Sequence, residues 1–256
     1  MLAENSRVIN MLILKSDTLT GILDGKNLIA YIGNEKIHLP RNAIIEPGDT
    51  IKIKNREFIA LNPDPVFFPE VSGRSTQVIL PFDASYIIYA TGISPGKMVL
   101  EAGIGTGSLS FGILKAIGGN GKLTSMDINE ESIATARENI ARFLPVENWD
   151  TYNGDIRTTV LDEKFDVAIL DIPDPWNAIE NIRKCMKPGS FLVTYSPNFN
   201  QAEKNVITMK KHRYYVLETV ELIKRNIIVR ENATRPDNNI IDHTAFITIA
   251  VMQSMV

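Results

Sequence analysis

The chain has 256 residues, 44% hydrophobic and 22% charged, the composition of an ordinary folded protein with enough length for one or two cores. Its one cysteine, Cys185, excludes an intrachain disulfide and a multi-cysteine metal site, and the net charge of −3 excludes a chain that is basic throughout. No apolar run approaches the roughly 18 residues of a membrane helix, and the opening stretch lacks a signal-peptide layout, so a cytoplasmic location is expected.

Residues 1–65 read as a small all-β domain. Apolar alternation recurs at Met11 to Leu14, Leu28 to Ile32, Ile51 to Ile53 and Phe58 to Leu61, with a hairpin signal at Asp24-Gly25 and turns at Gly33-Asn34 and Pro47-Gly48. Residues 66–82 follow as a proline-dense linker, in which helix and central strand are both disfavoured. From residue 83 to 256 helices and strands alternate, which implies a parallel sheet. A helix is expected from Asp83 to Thr91 with Asp83 as N-cap, then a strand over about 97–102 and a helix from Ser108 to Ile117. A second strand ends at Asp127, and an amphipathic helix capped by Asn129 runs from Glu130 to Phe143. Strands follow near Asp150 to Tyr152, at Phe165 to Leu170 and at Phe191 to Tyr195. Helices are expected over Ala178 to Met186, closed by Pro188-Gly189, and over Gln201 to His212. Two β-rich stretches, about 215–230 and 243–252, finish the chain, the last suiting an antiparallel strand.

The most informative segment is Glu101-Ala102-Gly103-Ile104-Gly105-Thr106-Gly107-Ser108-Leu109, a strand running into a glycine turn and a helix. Glycines let the backbone turn sharply and approach a ligand, and an acid at the end of the next strand, Asp127, can accept hydrogen bonds from ribose hydroxyls. The dinucleotide fingerprint G-x-G-x-x-G is not met, because Ser108 stands where its last glycine would be. The E-x-G-x-G-x-G form resembles motif I of class I S-adenosylmethionine-dependent methyltransferases. Glu101, Asp127, Asp155 and Asp171 all fall at expected strand ends, where ligands of open α/β sheets bind. Glu101 would orient the glycine loop or hold the methionine amine, and Asp155 would accept the adenine amine or simply stabilise its Asn-Gly-Asp turn. Asp171 opens Asp171-Ile172-Pro173-Asp174-Pro175-Trp176, which is either an acceptor loop or a rigid turn with Trp176 as a core anchor. Cys185 reads as a small packed helix residue rather than a nucleophile. The isolated His38, His212 and His243 lack metal-ligand spacing, so no metal is expected. The basic clusters Lys52, Lys54, Arg56 and Lys210-Lys211-His212-Arg213 fit solvated surface or phosphate contacts equally.

Several segments together resemble one family, the tRNA adenine-58 N1-methyltransferases in their homo-oligomeric form. They are Arg74-Ser75-Thr76-Gln77-Val78 with Pro81-Phe82-Asp83; the glycine loop; the D-x-P-x-P-W run at Asp171; Tyr195-Ser196-Pro197-Asn198 with Gln201; and Arg235-Pro236 with His243-Thr244-Ala245-Phe246. The resemblance spans about residues 74–250. It implies a Rossmann-like α/β fold with a seven-stranded, mostly parallel sheet, S-adenosyl-L-methionine as cofactor, tRNA as partner and a homotetramer. It also implies that Gln77, Glu101, Gly103, Gly105, Gly107, Ser108, Leu109, Asp127, Ile128, Asp155, Ile156 and Asp171 bind the cofactor. Asp171 would be the catalytic residue, and Pro173, Trp176, Tyr195, Arg235 and His243 would face the substrate. One departure is Leu80, where relatives often carry Tyr or His. The competing readings are a methyltransferase for a small molecule or protein, a nicotinamide oxidoreductase, and a non-catalytic RNA-binding scaffold.

Overall fold

The computed structural model describes residues 11–72 and 78–254. Six strands come first: β1 (Met11–Lys15), β2 (Thr20–Asp24), β3 (Ile29–Ile32), β4 (Glu35–His38), β5 (Thr50–Ile53) and β6 (Arg56–Leu61). They form one antiparallel sheet in the order β4-β3-β2-β1-β6-β5. The Asp24 hairpin joins β2 to β3, with the Asp24 carboxylate accepting the Lys26 and Asn27 backbone N–H groups, both at 3.0 Å. Strands β2 and β4 add to the four that alternation predicts.

Two corrections fall in and just after the proline-dense stretch. A short helix, α1 (Phe68–Val71), forms inside it. Pro69 lies in its first turn, where a missing N–H breaks no helical bond. The next helix, α2 (Pro81–Ala90), starts two residues before the expected Asp83, with Leu80 as N-cap and Pro81 at its first position. Asp83 is therefore no cap: it lies inside the first turn, fully buried, and accepts the Tyr195 hydroxyl at 2.8 Å.

The larger sheet is built from β7 (Met98–Ala102), β8 (Lys122–Asp127), β9 (Trp149–Asn153), β10 (Phe165–Leu170), β11 (Met186–Ser196), β12 (Tyr214–Glu221) and, after the separate hairpin of β13 (Lys224–Ile228) and β14 (Arg235–Ile241), β15 (Phe246–Met252). Its order is β12-β15-β11-β10-β7-β8-β9. Strand β15 runs antiparallel to both β11 and β12, and the pairings from β9 to β11 are parallel. The helices are α3 (Ser108–Ile117), α4 (Glu130–Ala141), α5 (Ile179–Arg183) and α6 (Phe199–Lys211). Asn129 caps α4 by accepting the Glu131 N–H at 2.9 Å. Helix α5 is shorter than expected, because β11 begins at Met186 to pair with Phe165. Pro188-Gly189 therefore sits within that strand beside a register shift, with Gly189 at φ +77°. Cys185 is buried, its thiol 3.1 Å from the Ile182 carbonyl, as a packing residue would be.

Alternate residues of the central strands feed two cores. Val99, Ile169 and Val193 pack with α2, α3 and α4, whereas Leu100, Ala168 and Leu192 pack with α5 and α6. The first core also takes in Ile13, Ile22 and Phe68, so the small sheet shares it. Among the described residues no helix is long and apolar enough to cross a membrane.

Candidate active site

Strand order reverses at β7, whose neighbours are β8 on one side and β10 on the other. Loops leaving the carboxyl ends of two such strands diverge and open a crevice. A cavity of about 880 Å³ lies there, within the range of small-ligand sites. The loops leaving β7, β8, β9 and β10 line it, together with Tyr195 and Pro197 from the end of β11.

The glycine loop forms one wall. Gly103 has φ +90°, and a Cβ there would lie 2.0 Å from the Asp171 carbonyl oxygen. Only glycine allows the two loops to touch. Gly107 has φ +85° and leads into α3, leaving room for Ala136 and Ile140 of α4. Asp127 closes the loop from the far side, accepting the Ile104 N–H at 2.8 Å and the Asn129 N–H at 2.9 Å.

Of the residues expected from sequence, Gly103, Gly105, Asp127, Ile128, Asp155, Ile156, Asp171, Pro173 and Tyr195 line this cavity. Ser108 and Leu109 line a narrow recess that meets it at Gly103, Gly105 and Asp171. Gln77 lies outside the described residues. Glu101 is buried beneath the glycine loop, not in the cavity wall, and its Oε2 accepts the Ser110 and Ser125 hydroxyls at 2.7 and 2.6 Å. Trp149 Nε1 donates to Ser125 at 2.9 Å and extends this network. Full burial pushes the Glu101 carboxyl up to about 7, against those two hydrogen bonds.

Asp171 takes the backbone of its loop from β10, with its N–H donating to the Ala102 carbonyl at 2.8 Å. Burial, helped by the Asp127 charge, pushes its carboxyl up to about 7. A second recess of about 100 Å³ lies against it, bounded by Val78, Ile79, Tyr195, Pro197 and Thr244. Tyr195 is fixed there by Asp83.

Three expected substrate residues stand elsewhere. Trp176 is half-buried against the second core, with the Lys204 ammonium 4.8 Å from its ring centre. Arg235 is exposed on β14 and donates to the neighbouring Pro236 carbonyl at 3.2 Å. His243 sits behind the rim: Nδ1 faces Glu221 Oε1 at 2.5 Å and Nε2 faces the Pro197 carbonyl at 2.9 Å. With acceptors on both sides, this geometry favours the protonated ring, which donates from both nitrogens. The Glu221 hydrogen bond, then that of Pro197, raises its pKa. This tie is complete below the ordinary histidine value of roughly 6.5 and is lost as pH rises through the raised folded value. In an NMR titration the His243 ring is expected to titrate above that value, and Glu221→Gln to bring it down; a wild-type midpoint at or below the ordinary value would refute the assignment.

Sequence reasoning missed Arg157. Its Nε and Nη2 hold Asp155 at 2.7–3.0 Å, and this fork keeps the Asp155 carboxyl below the usual range. Asp155 is thus oriented by Arg157. Among the described lining residues Arg157 is the one cation, facing Asp127, Asp155, Asp171 and Asp174. No group of three or more His, Cys, Asp or Glu able to hold a metal ion occurs among the described residues.

A seven-stranded sheet with one antiparallel insertion, a glycine loop after β7 and an acid at the end of β8 define a class I methyltransferase fold. In the comparison with solved structures, a Thermotoga maritima SAM-dependent O-methyltransferase superposes with a TM-score of 0.84 at 24% identity, over 96% of this chain and 93% of that one. The Aquifex aeolicus tRNA (m1A58) methyltransferase TrmI gives a TM-score of 0.79 at 22% identity, over 96% and 98%. Residues 58–246 match the family described as the tRNA methyltransferase complex GCD14 subunit, and the chain belongs to that family. A Methanocaldococcus jannaschii relative, tRNA (adenine(57)-N(1)/adenine(58)-N(1))-methyltransferase TrmI, is 32% identical over 233 residues, 80% of this chain and 83% of the relative.

Proposed function

We propose that this protein transfers a methyl group from S-adenosylmethionine to N1 of adenine 58 in the T-loop of tRNA. The observation that carries the reading is Asp171, a carboxyl shared by the large cavity and the recess beside Tyr195. The cavity suits the cofactor: Gly103 leaves a cradle that any side chain would fill, and four aspartates against one arginine favour a cationic ligand. The cofactor supplies an electrophilic methyl group on sulfur. Asp127 would hold the ribose hydroxyls, Asp155 the adenine amine, and Ile128 and Ile156 the apolar faces of the base.

Adenine N1 has an in-plane lone pair and needs no activated side chain, so catalysis is alignment plus electrostatics. Asp171 accepts a hydrogen bond from the N6 amine of the target, which selects adenine over guanine. Its negative charge also stabilises the positive charge that grows on the methylated ring. Tyr195 bounds the side of the recess where the base would enter. Extracting the target base from the folded tRNA costs roughly a few kcal/mol, which contacts elsewhere on the tRNA would offset.

The proposal includes a cytoplasmic homotetramer. The β13–β14 hairpin forms its own two-stranded sheet and exposes Ile227, Val229, Ile240 and Ile241, with Ile223 exposed just before it. Such a ribbon is marginal alone in water, and a second copy of the chain would cover it.

Methyl transfer from labelled S-adenosylmethionine to unmodified transcripts tests the reading, with nucleoside mass spectrometry as readout. 1-Methyladenosine is expected, and is expected to vanish in a transcript with guanine at position 58. A position-57 control tests whether Leu80, which offers no hydrogen bond, permits the neighbouring target. Tight S-adenosylhomocysteine binding with no transfer to any transcript would refute the acceptor but keep the cofactor.

A further inference from the structure

Arg157 spans the cavity mouth. It leaves the loop after β9, and its Nη1 donates to both oxygens of Asp174, at 2.9 and 3.1 Å, on the loop after β10. Strands β9 and β10 are not neighbours, because β8 and β7 lie between them. The guanidinium therefore bridges over the two strands that carry Asp127 and the glycine loop. Asn177 steadies Asp174, donating to its Oδ2 at 2.7 Å. On the other side, Asp155 Oδ1 already accepts both the Arg157 backbone N–H and Nε. Asp155 Oδ2 accepts Nε and Nη2 as well, at 3.0 and 2.7 Å, so Arg157 orients both oxygens of the carboxylate.

We propose that Arg157 is a positioning residue that fixes the cofactor-side and acceptor-side loops as one unit, coupling adenosine binding at Asp155 to the placement of Asp171. The inference rests on the methyltransferase reading. A guanidinium presents five donors in a planar fork and can grip two carboxylates at once, which an ammonium cannot reproduce. Without it nothing would offset the mutual repulsion of Asp155 and Asp174, which feel each other's charge. The β9 loop would stay folded, because Asn181 of α5 holds the Ile156 and Thr159 carbonyls at 2.9 and 2.6 Å. An ångström of misplacement at a reacting centre can cost a large factor in rate.

The test measures S-adenosylhomocysteine affinity by calorimetry and kcat on a tRNA transcript at saturating cofactor. The proteins are wild type, Arg157→Gln, Arg157→Lys, Asp174→Asn and the double variant R157Q/D174N. Arg157→Gln is expected to weaken S-adenosylhomocysteine binding and to lower kcat, each about tenfold, with Arg157→Lys recovering only part. Asp174→Asn is expected to weaken S-adenosylhomocysteine binding as well, and the double variant to fall no further than Arg157→Gln alone. Losses that multiply in the double variant would overturn the proposal. So would an Arg157→Gln enzyme within twofold of wild type, or one that loses affinity while kcat stays intact. If wild type binds S-adenosylhomocysteine but methylates no tRNA, the acceptor reading fails separately, and the affinities alone still decide whether Asp174 and Asp155 are coupled.

Discussion

Asp171→Ala is expected to lower kcat for tRNA methylation by about 10²- to 10³-fold at saturating cofactor, the scale seen when one preorganised electrostatic group is lost from an active site. Gly103 packs against the Asp171 carbonyl and the Ala102 carbonyl accepts the Asp171 N–H, so the backbone should stay in place when the carboxyl goes. Near-normal turnover of this variant would show that the carboxyl does not serve the reaction. The same group sets the pH dependence. A protonated Asp171 carries no charge to oppose a positive ring and accepts the N6 hydrogen bond only weakly, and its pKa is raised to about 7. The active form is present above that value and is lost as pH falls through it, so kcat/KM should rise with pH across neutrality. Asp171→Asn should flatten that rise. Glu101 titrates in the same range and feels the charges of Asp171 and Asp127, so the observed midpoint belongs to the group rather than to one residue.

Phe68→Ala is expected to destabilise the protein by about 3–5 kcal/mol, measured by urea or thermal unfolding. Phe68 is 1% exposed and stacks on Phe111 of α3, ring centres 4.4 Å apart, with Phe143 edge-on at 6.0 Å. Truncation would leave a ring-sized gap where the small sheet, α1 and the larger sheet's helices meet, a place with little room to collapse. Ile13 and Ile22 share that cluster, so the two sheets are expected to unfold together in the wild-type protein. A loss below about 1 kcal/mol would show that the segment is not anchored there.

The parts of the fold that local chemistry determines were legible. Helix α3 and strand β10 lie where the glycine loop and the apolar run predict them, because burial on both faces of β10 leaves a nearly continuous hydrophobic signal, and β8 ends at Asp127 as expected although Thr124 and Ser125 break its apolar run. Strand β4, Glu-Lys-Ile-His at a sheet edge, carries no such signal. Helix α1 was hidden by proline chemistry that forbids helix interiors but permits first turns. Asp83 looked like a cap because its proper partner, Tyr195, is 112 residues away. Within the site, residues tied to strand ends were readable, since topology alone brings strand ends together. Arg157 was not, because its second partner sits 17 residues on, across two intervening strands. Trp176 and His243 carry signature positions, yet one lies half-buried against the second core and the other has both ring nitrogens taken.

Strand β12 has one hydrogen-bonded neighbour in the sheet, β15, which follows it by some two dozen residues and inserts between it and β11. During synthesis β12 leaves the ribosome before β15, its one sheet partner among the described residues, exists, and β11 spends the same interval with one side bare. The first five parallel strands can assemble meanwhile, but the sheet closes only when β15 threads between two elements already made. Completion is therefore a late event, and the nascent chain carries two open edges until then, the interval in which chaperone binding or strand exchange with another copy would compete with folding.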